Sequence, residues 1–183
     1  MLSGHDGMNL TVATTFTVCG NVPQHVQTRL VEAVTSVPCS CFFDETGAPI
    51  KTEVSALDRC VVKGLSAAGW HVDADYSPFA DTQFNVDLAV PDERLLVEIE
   101  KGRQPRLELD LLKIASACSQ MPDRWRYGAL LVPATYIKLT LAGRQTPTQY
   151  LLRLAPLVRP VLEKSTVLGL CVVGYADPRD RGA

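Results

Sequence analysis

The chain has 183 residues, 46% of them apolar, and a formal net charge of −2. That length suits one domain with a sizeable core; the charge argues against a nonspecific nucleic-acid coat but leaves room for a specific DNA enzyme, because a local basic surface is what engages phosphates. No apolar run reaches the roughly 18 residues of a membrane span, and Met1 to Gly20 lacks a basic start followed by an apolar core, so a cytoplasmic protein without a membrane segment is expected.

Leu10 to Val18 alternates Thr with Val and Phe, which predicts a strand. Val26, Leu30, Val31 and Val34 then recur at helical spacing, so a helix is read over Val22 to Val37, ended by Pro38-Cys39-Ser40. Asp44 to Pro49 is a loop. A second helix runs from about Lys51 to Ala68, with Val54, Leu57, Val61, Leu65 and Ala68 inward and Gly69 as its stop. His71 to Tyr76 is a strand, Ser77 to Thr82 a loop, and a hairpin follows over 84–102. A helix from about Arg106 to Gln120 carries a stripe of Leu107, Leu111, Ile114, Ala115 and Cys118. Tyr127 to Val132 is almost wholly apolar, as a central strand buried on both faces is. Thr146-Pro147 is an N-cap and first-turn pair opening a helix that Pro156 and Pro160 must kink or cut. Thr166 to Tyr175 is the last strand. The expected class is α/β, one domain over 1–183. Its core covers about 51–133, with a strand and helix over 10–37 before it and a helix and strand over 146–175 after it.

The six cysteines (Cys19, Cys39, Cys41, Cys60, Cys118, Cys171) form no CxxC pair, and His5, His25 and His71 are scattered. Reduced thiols are expected rather than a zinc site.

The hairpin carries the chemistry. Phe84 to Val90 and Leu95 to Gly102 flank the turn-like Pro91-Asp92-Glu93-Arg94. With the turn centred between Asp92 and Glu93, Asp87 lies opposite Glu98, and opposed residues share a face with Cβ atoms about 5 Å apart. Glu100 is two residues further on and takes the same face. Three converging carboxylates repel one another unless a cation intervenes, and Mg²⁺, with Mn²⁺ as a substitute, prefers such oxygen ligands. Positive charge gathers behind the hairpin at Lys101, Arg103, Arg106, Lys113, Arg124 and Arg126, against fewer acids at Glu108, Asp110 and Asp123. The plain alternative is a solvated helix face. Trp125 between two arginines suits a core anchor better than a wedge in a DNA groove.

The helix–strand–strand–strand–helix–strand order from Lys51 to Val132, with Asp87 on the second strand and Glu98-Ile99-Glu100 on the third, resembles the core of the PD-(D/E)xK phosphodiesterase superfamily. That group includes type II restriction endonucleases, junction resolvases and repair nucleases. Val97-Glu98-Ile99-Glu100-Lys101-Gly102, then Leu109-Asp110-Leu111-Leu112-Lys113 and Ala129 to Pro133, are similar to nuclease-like proteins of this type. The resemblance covers about the middle half of the chain. It implies a restriction-endonuclease-like mixed sheet flanked by helices, Mg²⁺-dependent hydrolysis of DNA, and homodimers cutting one strand per subunit. By the same resemblance Asp87, Glu98 and the carbonyl of Ile99 hold the metal, with a further acid from the preceding helix, Glu53 first and Asp58 second. Glu100 stands where the motif has Lys, as in a minority of restriction enzymes, and Val86 stands where it has Pro. Lys101 reaches the acidic face only through a bulge, and would then take the lysine's role. Arg103, Arg106, Lys113, Arg124 and Arg126 are the candidates for DNA phosphates.

Rival readings are a nuclease-like fold that only binds DNA or acts as a scaffold, a half-exposed hairpin with solvated acids, and a retaining glycosidase, for which aromatic sugar platforms are lacking. GxSxG and Walker-type phosphate loops are absent from the sequence.

Overall fold

Period-two and period-3.6 patterns alternate along the chain, and each becomes the matching element. The computed structural model describes residues 8–41, 55–79, 84–100, 106–134 and 146–178. The strands are β1 (Thr11–Gly20), β2 (Asp73–Tyr76), β3 (Val86–Val90), β4 (Leu95–Ile99), β5 (Tyr127–Pro133) and β6 (Gly169–Ala176). The helices are α1 (Gln24–Thr35), α2 (Ser55–Ala67), α3 (Leu107–Gln120) and α4 (Pro147–Leu162). Their order along the chain is the one read from the sequence.

The strands form one six-stranded mixed sheet in the order β1-β6-β5-β4-β3-β2. β5 runs parallel to β4 and β6, and the remaining pairs are antiparallel. Parallel neighbours need a crossover, and α3 and α4 supply the two. Two core layers result. Leu95, Val97 and Ile99 of β4 pack with Val26, Leu30 and Val34 of α1 and Leu57, Val61 and Leu65 of α2. Leu96, Leu130, Val132, Leu170 and Val172 pack with Leu107, Leu111 and Ile114 of α3 and Leu151 and Ala155 of α4. Alternation along β4 therefore aims Glu98 at the α3 side.

α4 opens with a capping box: Gln149 N–H donates to Thr146 Oγ1 (3.2 Å) and Thr146 N–H to Gln149 Oε1 (3.0 Å). It is not cut at Pro156 or Pro160, which corrects one half of the sequence expectation. The carbonyls these prolines leave without a helical donor belong to Leu152 and Pro156. Both residues are exposed.

Gly128 in β5 sets how closely α3 lies on the sheet. A Cβ there would come within 2.5 Å of Ile114 Cγ2 and 3.2 Å of Leu170 Cδ1. Gly128→Ala is expected to lower stability by about 1–3 kcal/mol in urea titrations, the usual cost of overpacking. Ile114→Leu in the same chain removes the clashing branch and should restore part of the loss.

Candidate acidic site on the β3–β4 hairpin and α3

The hairpin is built around a short 3-10 turn, Pro91–Glu93, closed by Arg94 in the left-handed region (φ 52°). The carbonyl of Arg94 accepts from Arg126 N (2.9 Å) and Tyr127 N (3.0 Å), so the turn is tied to the start of β5. The pairs are Leu88↔Val97, Ala89↔Leu96 and Val90↔Leu95. Continued by one residue, that register sets Asp87 opposite Glu98. Asp87 Oδ2 there accepts the backbone N–H of Ile99 at 2.6 Å, a contact that holds the carboxylate across the hairpin.

α3 lies over this pair and brings two more charges. Lys113 Nζ is 2.5 Å from Glu98 Oε1 and 3.1 Å from Asp110 Oδ1. It also donates to the carbonyl of Asn85 at 3.0 Å. The Asn85 side chain is fixed in turn by donating to Asp75 Oδ1 (2.9 Å). Asp87, Glu98, Asp110 and Lys113 thus form one cluster at the end of the hairpin. Glu98 is only 3% exposed, so it is a charge-bearing group inside a strand otherwise given to core residues.

Burial pushes the Glu98 carboxyl up to about 8, helped by the negative charges of Asp110 and Asp87 and opposed by Lys113. Burial also raises Asp110; Lys113 pulls it back down, while Glu100 and Asp87 add to the rise. Burial alone would lower Lys113, but the hydrogen bond and charge of Glu98, and then Asp110, raise it above its ordinary value.

Glu100 is buried just past β4, and its charge is felt by Asp110 and by Tyr175. Its backbone is held by Glu100 N–H to Leu131 O (2.9 Å) and by Tyr175 OH to Glu100 O (2.7 Å). The Ile99 side chain enters the α1–α2 core layer, while its amide serves Asp87. Asp58 of α2 acts on Tyr175, which packs in that same layer. Glu53, Lys101 and Arg103 lie outside the described residues.

The basic candidates separate. Arg106 is exposed at the start of α3. Arg124 is exposed and stacks over Tyr76 and Trp125, 5.2 Å from each ring. Arg126 is half-buried, with its Nε enclosed. Lys113, expected at DNA phosphates, is occupied inside the acidic cluster instead. Trp125 is fully buried, as a core anchor is.

Asp110 and the Asn85 carbonyl were not singled out from the sequence. The signal for Asp110 was present: it occupies a stripe position among Leu107, Leu111 and Ile114, where an acid has no reason to be unless it is paired. Among the described residues, no group of three or more His, Cys, Asp and Glu side chains is arranged to hold a metal ion by itself. Nor is any helix there long and apolar enough to cross a membrane. No protein-family model matches the chain, and no curated protein sequence matches it significantly.

The raised Glu98 value has a consequence for stability. The folded state holds this proton up to about pH 8 and the unfolded chain releases it near 4.5. The contribution is therefore fully present below pH 4.5 and is lost as pH rises through 8. Urea titrations in EDTA between those limits should show wild-type stability falling with pH, and Glu98→Gln should flatten that slope. Parallel slopes would place the proton elsewhere.

Proposed function

We propose that the chain is a Mg²⁺-dependent DNA endonuclease of the PD-(D/E)xK kind, a restriction enzyme or a related DNA-processing nuclease. One observation carries this reading: Glu98 and Asp110 meet the ammonium of Lys113 at the end of the β3–β4 hairpin, and the charge of Asp87 acts on both acids. The succession α2, β2, β3, β4, α3, β5 supports it, because it agrees with the core that the resemblance implies. The chemistry of the donor set supports Mg²⁺. Carboxylates and a backbone carbonyl already surround one cation, the lysine ammonium, and hard divalent ions take the same oxygen types.

In this reading Asp87 and Glu98 hold the metal, and Asp110 adds charge beside them. When bound, Mg²⁺ supplies Lewis-acid polarisation of the scissile phosphate and activation of a water. Asp87 keeps its carboxylate aimed across the hairpin through the Ile99 amide. Glu98 sheds its proton at the carboxyl oxygen once a cation compensates the buried charge. Lys113 supplies the positive charge that Glu100, at the motif-lysine position, lacks. Arg106 and Arg124 are exposed and suit phosphates of the duplex, contacts that position DNA without reading its bases.

A second reading, a DNA-binding or scaffolding protein of the same fold without catalysis, draws on the near-complete burial of Glu98 and its existing ion pair. The two separate in one assay with supercoiled plasmid in Mg²⁺, Mn²⁺ or EDTA. The nuclease nicks or linearises DNA only with metal, and Asp87→Ala or Glu98→Ala lowers the rate by at least about 100-fold, the scale of removing one preorganised charge-stabilising group. Binding that is the same with and without Mg²⁺, with no nicking, selects the scaffold.

Cutting both strands calls for two copies of the site. Leu157 and Val161, 74% and 70% exposed and one turn apart on α4, offer an apolar face for a homodimer. Sedimentation equilibrium should give twice the chain mass, and Leu157→Asp should return the monomer. A monomer for the unaltered protein rejects the dimer.

A further inference from the structure

The Lys113 ammonium has three N–H donors and three acceptors around it. These are Glu98 Oε1 at 2.5 Å, Asp110 Oδ1 at 3.1 Å and the Asn85 carbonyl at 3.0 Å. So placed, the ammonium is turned inward, hydrogen-bonded to the Asn85 carbonyl and ion-paired with the two carboxyl groups. Its side chain is 12% exposed, and its four-carbon stem is flexible. The cage is firmer than its occupant. Glu98 belongs to a strand paired on both sides, and Asn85 is anchored through Asp75. A divalent cation binding to Glu98 or Asp110 would stand within a few ångströms of the ammonium and repel it.

We propose that Lys113 is a built-in counter-ion of this site, released from Glu98 and Asp110 when a divalent cation loads and thereby freed to meet a substrate phosphate. The inference rests on the metal reading above, and it adds a regulation. Without metal the carboxylates are neutralised from within and the lysine is withheld from substrate; with metal both become available together. A rigid strut would instead stay in place, with the ion binding around it.

The experiment needs no DNA, so its outcome is independent of whether the protein cleaves. Mn²⁺ binding is measured by electron paramagnetic resonance of the free ion for the wild type and for Lys113→Met, which keeps a long apolar stem and removes the charge. Mn²⁺ should bind the variant at least about tenfold more tightly, a typical coupling between two ligands that share acceptors. Equal or weaker binding by the variant, or binding by neither, overturns the proposal.

A second measurement uses the wild type alone and covers the case in which the variant fails to fold. Acetylation of Lys113 by acetic anhydride is followed by mass spectrometry with Mn²⁺ and with EDTA, against the exposed Lys63 as reference. Mn²⁺ should speed Lys113 labelling relative to Lys63 by more than about fivefold, the low end of such couplings. An unchanged ratio at millimolar Mn²⁺ overturns the proposal. Absence of DNA cleavage alone would count against the nuclease reading and leave this one standing.

Discussion

The contact between the Lys113 ammonium and the carboxylates of Glu98 and Asp110 is the constraint around which this end of the molecule is built. A carboxylate on a central strand, nearly excluded from water, is costly unless paired and hydrogen-bonded. Asp87 and Asp110 add like charges nearby. One cation, reaching in from α3, makes the arrangement tenable. Its removal would leave any negative charge on these buried acids without internal compensation and so favour their protonated forms still further.

Several features far apart in the chain serve that contact. The 3-10 turn and the left-handed Arg94 set the hairpin register, and the register places Asp87 across from Glu98. Gly128 lets α3 settle against β5, close enough for a lysine on its first turns to reach β4. Asn85 turns its carbonyl to the ammonium while its side chain is pinned to Asp75. The sheet divides the labour between its faces. Beneath α1 and α2 the odd residues of β4 join a large apolar cluster. Beneath α3 the same strand carries its acid. This asymmetry puts the Glu98–Lys113 pair on the side that the N-terminal part of a helix overlies.

Pairing inside the protein also changes what the cluster can do. Glu98 holds its proton to higher pH than an ordinary glutamate, because burial and like charges outweigh a single lysine. Near neutral pH it therefore still carries a proton that an ordinary glutamate has already lost.

Element order, helix stripes, the two-sided burial of β5 and the opposition of Asp87 to Glu98 were legible in the residues alone. Each is a local matter: periodicity within a segment, or counting outward from a turn only four residues long. Lys113 and Asp110 were not assignable in the same way. In sequence Asp110 is an acid at a stripe position with no visible partner and Lys113 an ordinary helix cation, and nothing in the spacing of residues 98 and 113 says that the helix will cross over that strand. The path of the crossover, the close approach at Gly128 and the burial that follows are decided only when the layers pack. Sequence alone determined which acids would stand side by side on the hairpin. Tertiary structure decided which cation would neutralise them, because that depends on distances between elements joined by a crossover rather than on the period of any one of them.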